Sequence, residues 1–127
     1  MATKYVAGSD GARIAQDICG EGPALMLLHG AGETRRDWHK TGYVDRLRDE
    51  FTVINIDIRG RGESERITRI ENYSIQKIVS DFREVQDCCG IHQIMIWGYS
   101  FGGNNASYLG AWLDCVQAIA LIGVPFG

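Results

Sequence analysis

Ser100 lies within Trp97-Gly98-Tyr99-Ser100-Phe101-Gly102-Gly103, directly after the apolar run Ile94-Met95-Ile96. A strand that breaks into a sharp turn with a serine at its tip, followed at once by a helix-compatible segment, presents that hydroxyl as a nucleophile. So tight a turn leaves little room for neighbouring Cβ atoms, and Gly98 and Gly102 relieve the crowding on either side. A neutral serine hydroxyl is a poor nucleophile and needs a general base beside it. The plainer reading of Ser100 is a serine in an ordinary turn that caps the next helix.

Two more glycine-rich segments follow apolar runs. His29-Gly30-Ala31-Gly32 follows Ala24-Leu25-Met26-Leu27-Leu28, and Asp57-Ile58-Arg59-Gly60-Arg61-Gly62-Glu63-Ser64 follows the run from Phe51 to Ile56. Gly30-x-Gly32 is a poor dinucleotide fingerprint, because Arg35 stands where a third glycine belongs, and no Gly-Lys-Ser/Thr supports a phosphate loop. The segment from Asp57 to Ser64 reads as structural, with Asp57 and Arg59 tying the loop to its neighbours.

Together the three motifs, with Trp38 a little after the His-Gly pair, resemble the N-terminal half of an α/β-hydrolase across essentially the whole chain. The resemblance implies that Ser100 attacks an ester, amide, thioester or related carbonyl to form an acyl-enzyme. It implies an oxyanion hole made by the N–H groups of Ala31 and Phe101. His29, Gly30, Gly32, Trp38 and Tyr99 then support the site or bind substrate. Trp38 fits an acyl pocket or a core position equally well. Serine here, where the epoxide hydrolase and haloalkane dehalogenase branches carry a carboxylate, argues for the serine branch. The partner implied is a small-molecule acyl substrate or ligand, with no metal and no organic cofactor.

The base is the missing part. The family places its acid and its histidine after later strands. Asp114 and His92 belong at the far end of the sheet from Ser100, since eight residues of strand span about 26 Å. His29 and His39 fall at the correct end. His29 reads best as a loop organiser bonded to backbone, and His39 as a surface residue. Asp57 or Glu33 could orient a histidine, though nothing in the sequence shows it. The expectation is weak or undetectable esterase activity for this chain alone. The alternatives are a ligand-binding or interaction module that keeps the turn as scaffold, or one half of an assembly that completes the site in trans.

Ordered elements must hold these motifs in place. Strands are expected over Lys4 to Ala7 and Arg13 to Ile18, around a Gly8-Ser9-Asp10-Gly11 hairpin turn. Ala24–Leu28, Phe51–Ile56, Ile91–Trp97 and Val116–Ile122 read as further strands. One helix is expected from about Arg36 to Arg48, one from the Ser74 cap to about Cys88 with Gly90 as its stop, and one from Phe101 to about Trp112. Glu65 to Asn72 reads as polar loop. This alternation predicts an α/β fold of the α/β-hydrolase type, a mainly parallel sheet with helices on both faces, truncated before the family's last strands.

Composition bounds the rest. With 127 residues, 45% hydrophobic and 23% charged, the chain suits a single domain (1–127) folded around a core. With a net charge of −3, no block of Lys and Arg suggests a nucleic-acid partner or an anionic membrane surface, and neither is expected. No apolar run is long enough for a membrane span, and the N-terminus lacks a secretory leader, so a cytoplasmic protein is expected. Cys19, Cys88, Cys89 and Cys115 show no metal-ligand spacing and read as reduced thiols. An exposed last strand predicts self-association through the sheet edge.

Overall fold

The computed structural model describes residues 2–123. In chain order the strands are β1 (Lys4–Ala7), β2 (Arg13–Cys19), β3 (Ala24–Leu28), β4 (Thr52–Ile56), β5 (Ile94–Tyr99) and β6 (Val116–Ile122). The helices are α1 (Arg36–Lys40), α2 (Tyr43–Leu47), α3 (Ile75–Cys88) and α4 (Phe101–Trp112). A short 3-10 turn covers Ile70–Tyr73, overlapping the end of the stretch expected to be loop.

All six strands join one sheet in the order β1-β2-β4-β3-β5-β6. β1 and β2 pair antiparallel, as do β2 and β4, and the remaining pairs are parallel. The continuous apolar run of β3 reflects cover on both faces. Its alternate residues Met26 and Leu28 join the larger core beneath α3 and α4, with Ile54, Ile56, Phe82, Val85, Ile96 and Leu109. Leu25 and Leu27 point the other way, into a smaller core with Trp38, Val44 and Val53 beneath α1 and α2.

Helix α3 forms as its sequence suggests. Ser74 caps it, its Oγ accepting from the Lys77 N–H at 3.3 Å, and Gly90 (φ 69°) follows its end. Ile78, Phe82 and Val85 form the buried stripe. The single helix expected over Arg36 to Arg48 is instead two short ones. Gly42 takes φ 85° between them, a left-handed conformation that breaks the helix, and Thr41 Oγ1 caps the Asp37 carbonyl at 2.7 Å. Strand β5 starts later than expected, at Ile94, because Ile91 is tied to the end of α3. The Ile91 N–H donates to the Gln86 carbonyl at 3.2 Å, and Gln86 Nε2 donates to the Ile91 carbonyl at 2.9 Å.

Strand β6 lies at the edge of the sheet, with Ile119 and Ile122 each 37% exposed. Among the described residues, no helix is long and apolar enough to cross a membrane.

Candidate active site

The three motifs meet at the carboxyl ends of the parallel strands. Leu28 pairs with both Ile56 and Gly98, so the residues that follow β3, β4 and β5 emerge side by side. Ligands of open parallel sheets bind in this position.

Ser100 has φ 53° and ψ −112°, and it is the only non-glycine with positive φ among the described residues. Its N–H donates to the Ile122 carbonyl at 2.8 Å, and its own carbonyl accepts from the Asn104 N–H at 3.1 Å. These bonds lock the strained turn between β5, β6 and α4. The residue is exposed, and no hydrogen bond to its hydroxyl is present among the described residues. The flanking glycines are sterically required. A Cβ on Gly98 would lie 2.6 Å from Gly103 Cα; one on Gly102 would strike the Leu28 carbonyl and lie 2.6 Å from the His29 carbonyl oxygen. The first turn of α4 therefore packs directly on the end of β3.

That contact brings Gly30 beside Tyr99. A Cβ on Gly30 would sit 3.2 Å from the Tyr99 ring, whereas one on Gly32 would meet nothing within 4 Å. Close packing against Tyr99 therefore requires a glycine at position 30, and no such contact is made at position 32. Among the described residues, neither the Ala31 nor the Phe101 N–H has an acceptor. At Phe101 the reason is its place at the start of α4, where no preceding turn offers a carbonyl.

His29 is 1% exposed and both ring nitrogens are occupied. Nε2 accepts from the Ile58 N–H at 3.0 Å, which places the proton on Nδ1, 2.7 Å from the Gly30 carbonyl. Burial pushes its pKa below the ordinary histidine value, outweighing the opposing Gly30 hydrogen bond. The imidazole is a neutral strut joining the two loops, with no lone pair left for Ser100.

The other histidines and Asp57 are also placed or engaged elsewhere, whereas Glu33 stays beside the serine turn with one oxygen on the Gly30 N–H at 3.2 Å. His39, expected at the surface, is half-buried with Nε2 3.0 Å from Asp17 Oδ1 on β2. It lines a separate cleft with Arg36 and Lys40, so it does not face the serine. His92 precedes β5, at the opposite end of that strand. Asp57 is fully buried and accepts from the Arg35 N–H at 2.8 Å, from Arg35 Nη1 at 2.9 Å and from the Glu63 N–H at 2.9 Å. It anchors the loop and is not available to orient a histidine. Arg59, wholly buried, grips Asp81 through two 2.8 Å bonds and Asp10 through bonds of 2.7 and 2.8 Å. Its guanidinium is held charged by these partners.

Beside the elbow lies a cleft of about 260 Å³ lined by His29, Glu33, Asp37, Trp38, Thr41, Tyr43, Tyr99 and Ile122. Trp38 is both core and lining: it is 6% exposed, packs with Leu25 and Leu27, and meets the Tyr43 ring edge-on at 5.2 Å.

The alpha/beta hydrolase fold family model matches residues 23–126. This chain belongs to the α/β-hydrolase fold family. It is 32% identical over 126 residues to a Bacillus subtilis (strain 168) protein provisionally named 2-succinyl-6-hydroxy-2,4-cyclohexadiene-1-carboxylate synthase, covering 95% of this chain and 44% of that one. It is 30% identical to a soluble epoxide hydrolase of Corynebacterium sp. (strain C12), covering 84% of this chain and 36% of the relative. The structure of the bottromycin epimerase BotH in complex with bottromycin A2 superposes with a TM-score of 0.89 at 31% identity, over 95% of this chain and 48% of that one. The chain thus spans less than half the length of these relatives.

Sequence alone gives several residues around these strand ends no clear role. Arg35 was noted only as a non-glycine, yet it is a buried hub, with Nε 3.1 Å from Asp17 Oδ2 and further bonds to Asp57, Glu63 and Thr3. Asp37 and Thr41, four residues apart, line the cleft with Glu33, which the sequence offers only as a possible partner of a histidine. Tyr43 carried no local signal, since its place depends on the break at Gly42.

Proposed function

We propose that this chain carries the nucleophile half of a serine acyl-hydrolase site. Ser100 attacks a carboxylic ester or related acyl carbon, and the Ala31 and Phe101 N–H groups hold the oxyanion. The observation that carries the reading is the backbone of Ser100, strained at φ 53° on a turn that only glycines can flank. Two amides without acceptors on adjoining loops support it. The relatives include an epoxide hydrolase, but position 100 holds a hydroxyl where that branch carries a carboxylate, so acyl chemistry is favoured over epoxide opening. With His29 fully bonded and His39 and His92 placed away from the serine, none of the described histidines is positioned to take its proton. Residual rate then rests on the oxyanion hole and binding. Self-association through the β6 edge belongs to the same reading, and light scattering coupled to size exclusion tests it.

The deciding experiment is labelling of the full chain by a fluorophosphonate, with Ser100→Ala as control. Modification at Ser100, absent in the variant, is the expected result. A folded sample that stays unlabelled at long exposure overturns the hydrolase reading and favours a binding module built on the same scaffold.

A further inference from the structure

The cleft beside Ser100 has a one-sided chemistry. Three of its lining residues are aromatic (Trp38, Tyr43 and Tyr99), two are carboxylates (Glu33 and Asp37), and His29 is held neutral. None of the described lining residues is Lys or Arg. Each carboxylate spends one oxygen on the protein. Glu33 Oε1 accepts from the Gly30 N–H at 3.2 Å, and Asp37 Oδ2 accepts from the Thr34 N–H at 2.9 Å. Glu33 Oε2 and Asp37 Oδ1 have no protein partner among the described residues.

The nearby cation, Arg61, is tied to backbone and an aromatic ring. Arg61 Nε donates to the Ala31 carbonyl at 3.0 Å, and its guanidinium lies 5.8 Å from the centre of the Tyr73 ring. Tyr99 and Tyr43 remain 43% and 41% exposed, and Tyr43 also meets the Trp38 and Trp97 rings edge-on. Trp38 adds an indole Nε1 that is buried with no acceptor, and it lines the same cleft. Aromatic faces, free carboxylate oxygens and an unmatched donor together fit a cationic centre with an oxygen acceptor nearby.

We infer that the Tyr43–Tyr99–Trp38 cleft, with Glu33 and Asp37, binds the ammonium end of a small cationic ligand that also carries a hydroxyl or ester oxygen. This rests on the hydrolase reading only for the role of that ligand as substrate; binding itself needs no nucleophile. The aromatic rings supply the attraction for the cation, and the carboxylates set its sign against neutral and anionic ligands of the same shape.

The test is a three-ligand comparison on the full chain by saturation-transfer NMR titration. Choline, 3,3-dimethylbutan-1-ol and 3,3-dimethylbutanoate share a shape and differ in charge: positive, neutral and negative. Choline is expected to bind on the order of tenfold tighter than the alcohol, with the carboxylate weakest. Glu33→Gln, which keeps an acceptor for the Gly30 N–H, should reduce that ratio several-fold, and Glu33→Gln/Asp37→Asn should bring it close to one. Tyr99→Leu, at an exposed position, gives an independent loss of choline binding in a chain that still folds. Equal binding of choline and the alcohol, no choline binding, or a ratio unchanged in the double variant overturns the inference. Running the titration on Ser100→Ala separates the two readings. A cation preference with no fluorophosphonate labelling sinks the hydrolase alone; labelling with no preference sinks the cation site alone.

Discussion

Strain at Ser100 has a thermodynamic signature that can be isolated. A side chain at φ 53° and ψ −112° occupies sparsely populated backbone space, at a penalty of about 1–3 kcal/mol. Ser100→Ala keeps the Cβ and therefore the strain, while Ser100→Gly removes both. Glycine opposes this by freeing the unfolded chain, worth about 0.4–1 kcal/mol relative to alanine. The difference leaves Ser100→Gly the more stable variant by about 0.5–2 kcal/mol. At an ordinary position the order is reversed. The hydroxyl has no protein partner among the described residues, so neither substitution removes a hydrogen bond, and the comparison isolates the backbone. Urea unfolding followed by circular dichroism reads the gap as a shift in midpoint at constant slope. Thermal melting should show about 2–8 °C between the two variants. If Ser100→Ala proves as stable as Ser100→Gly, the elbow is not strained and the argument for a presented nucleophile fails.

Other substitutions probe the supports of the site. Gly102→Ala, which drives a Cβ into the end of β3, should lose at least about 1–3 kcal/mol and abolish fluorophosphonate labelling, while Gly32→Ala, facing open space, should change stability by under about 0.5 kcal/mol; equal effects in urea would refute the packing of α4 on β3. Arg59→Met strands the buried Asp81 and should lose about 3–5 kcal/mol, whereas Arg59→Met/Asp81→Leu should recover much of it, measured by the same unfolding curves. His29 titrates lower when folded than when unfolded. The unfolded chain therefore binds the extra proton first, and stability holds above a pH of about 6.5 and falls as pH drops below it. Urea midpoints between neutral and mildly acid pH should show this slope, and His29→Gln should flatten it; an unchanged slope in the variant assigns the effect to other groups.

The sequence by itself determined most of the elements and the sharp turn at Ser100. Both follow from interactions close along the chain. Apolar runs mark strands covered on two faces, Ser74 and Gly90 mark the ends of a helix, and Gly98 is needed by its near neighbours Gly102 and Gly103, whereas Gly102 is required only by the distant end of β3. Only the tertiary structure decided what each polar side chain does, because that depends on partners distant in sequence. His29 became a neutral strut through Ile58, His39 turned to Asp17 on another strand, and Arg35 gathered Asp17, Asp57 and Glu63 into one buried cluster. The break at Gly42 swung Tyr43 toward Trp38 and Trp97, and so shaped the cleft. Local sterics are written in neighbouring residues; long-range charge pairing and cavity shape emerge when the sheet order sets distant strands side by side.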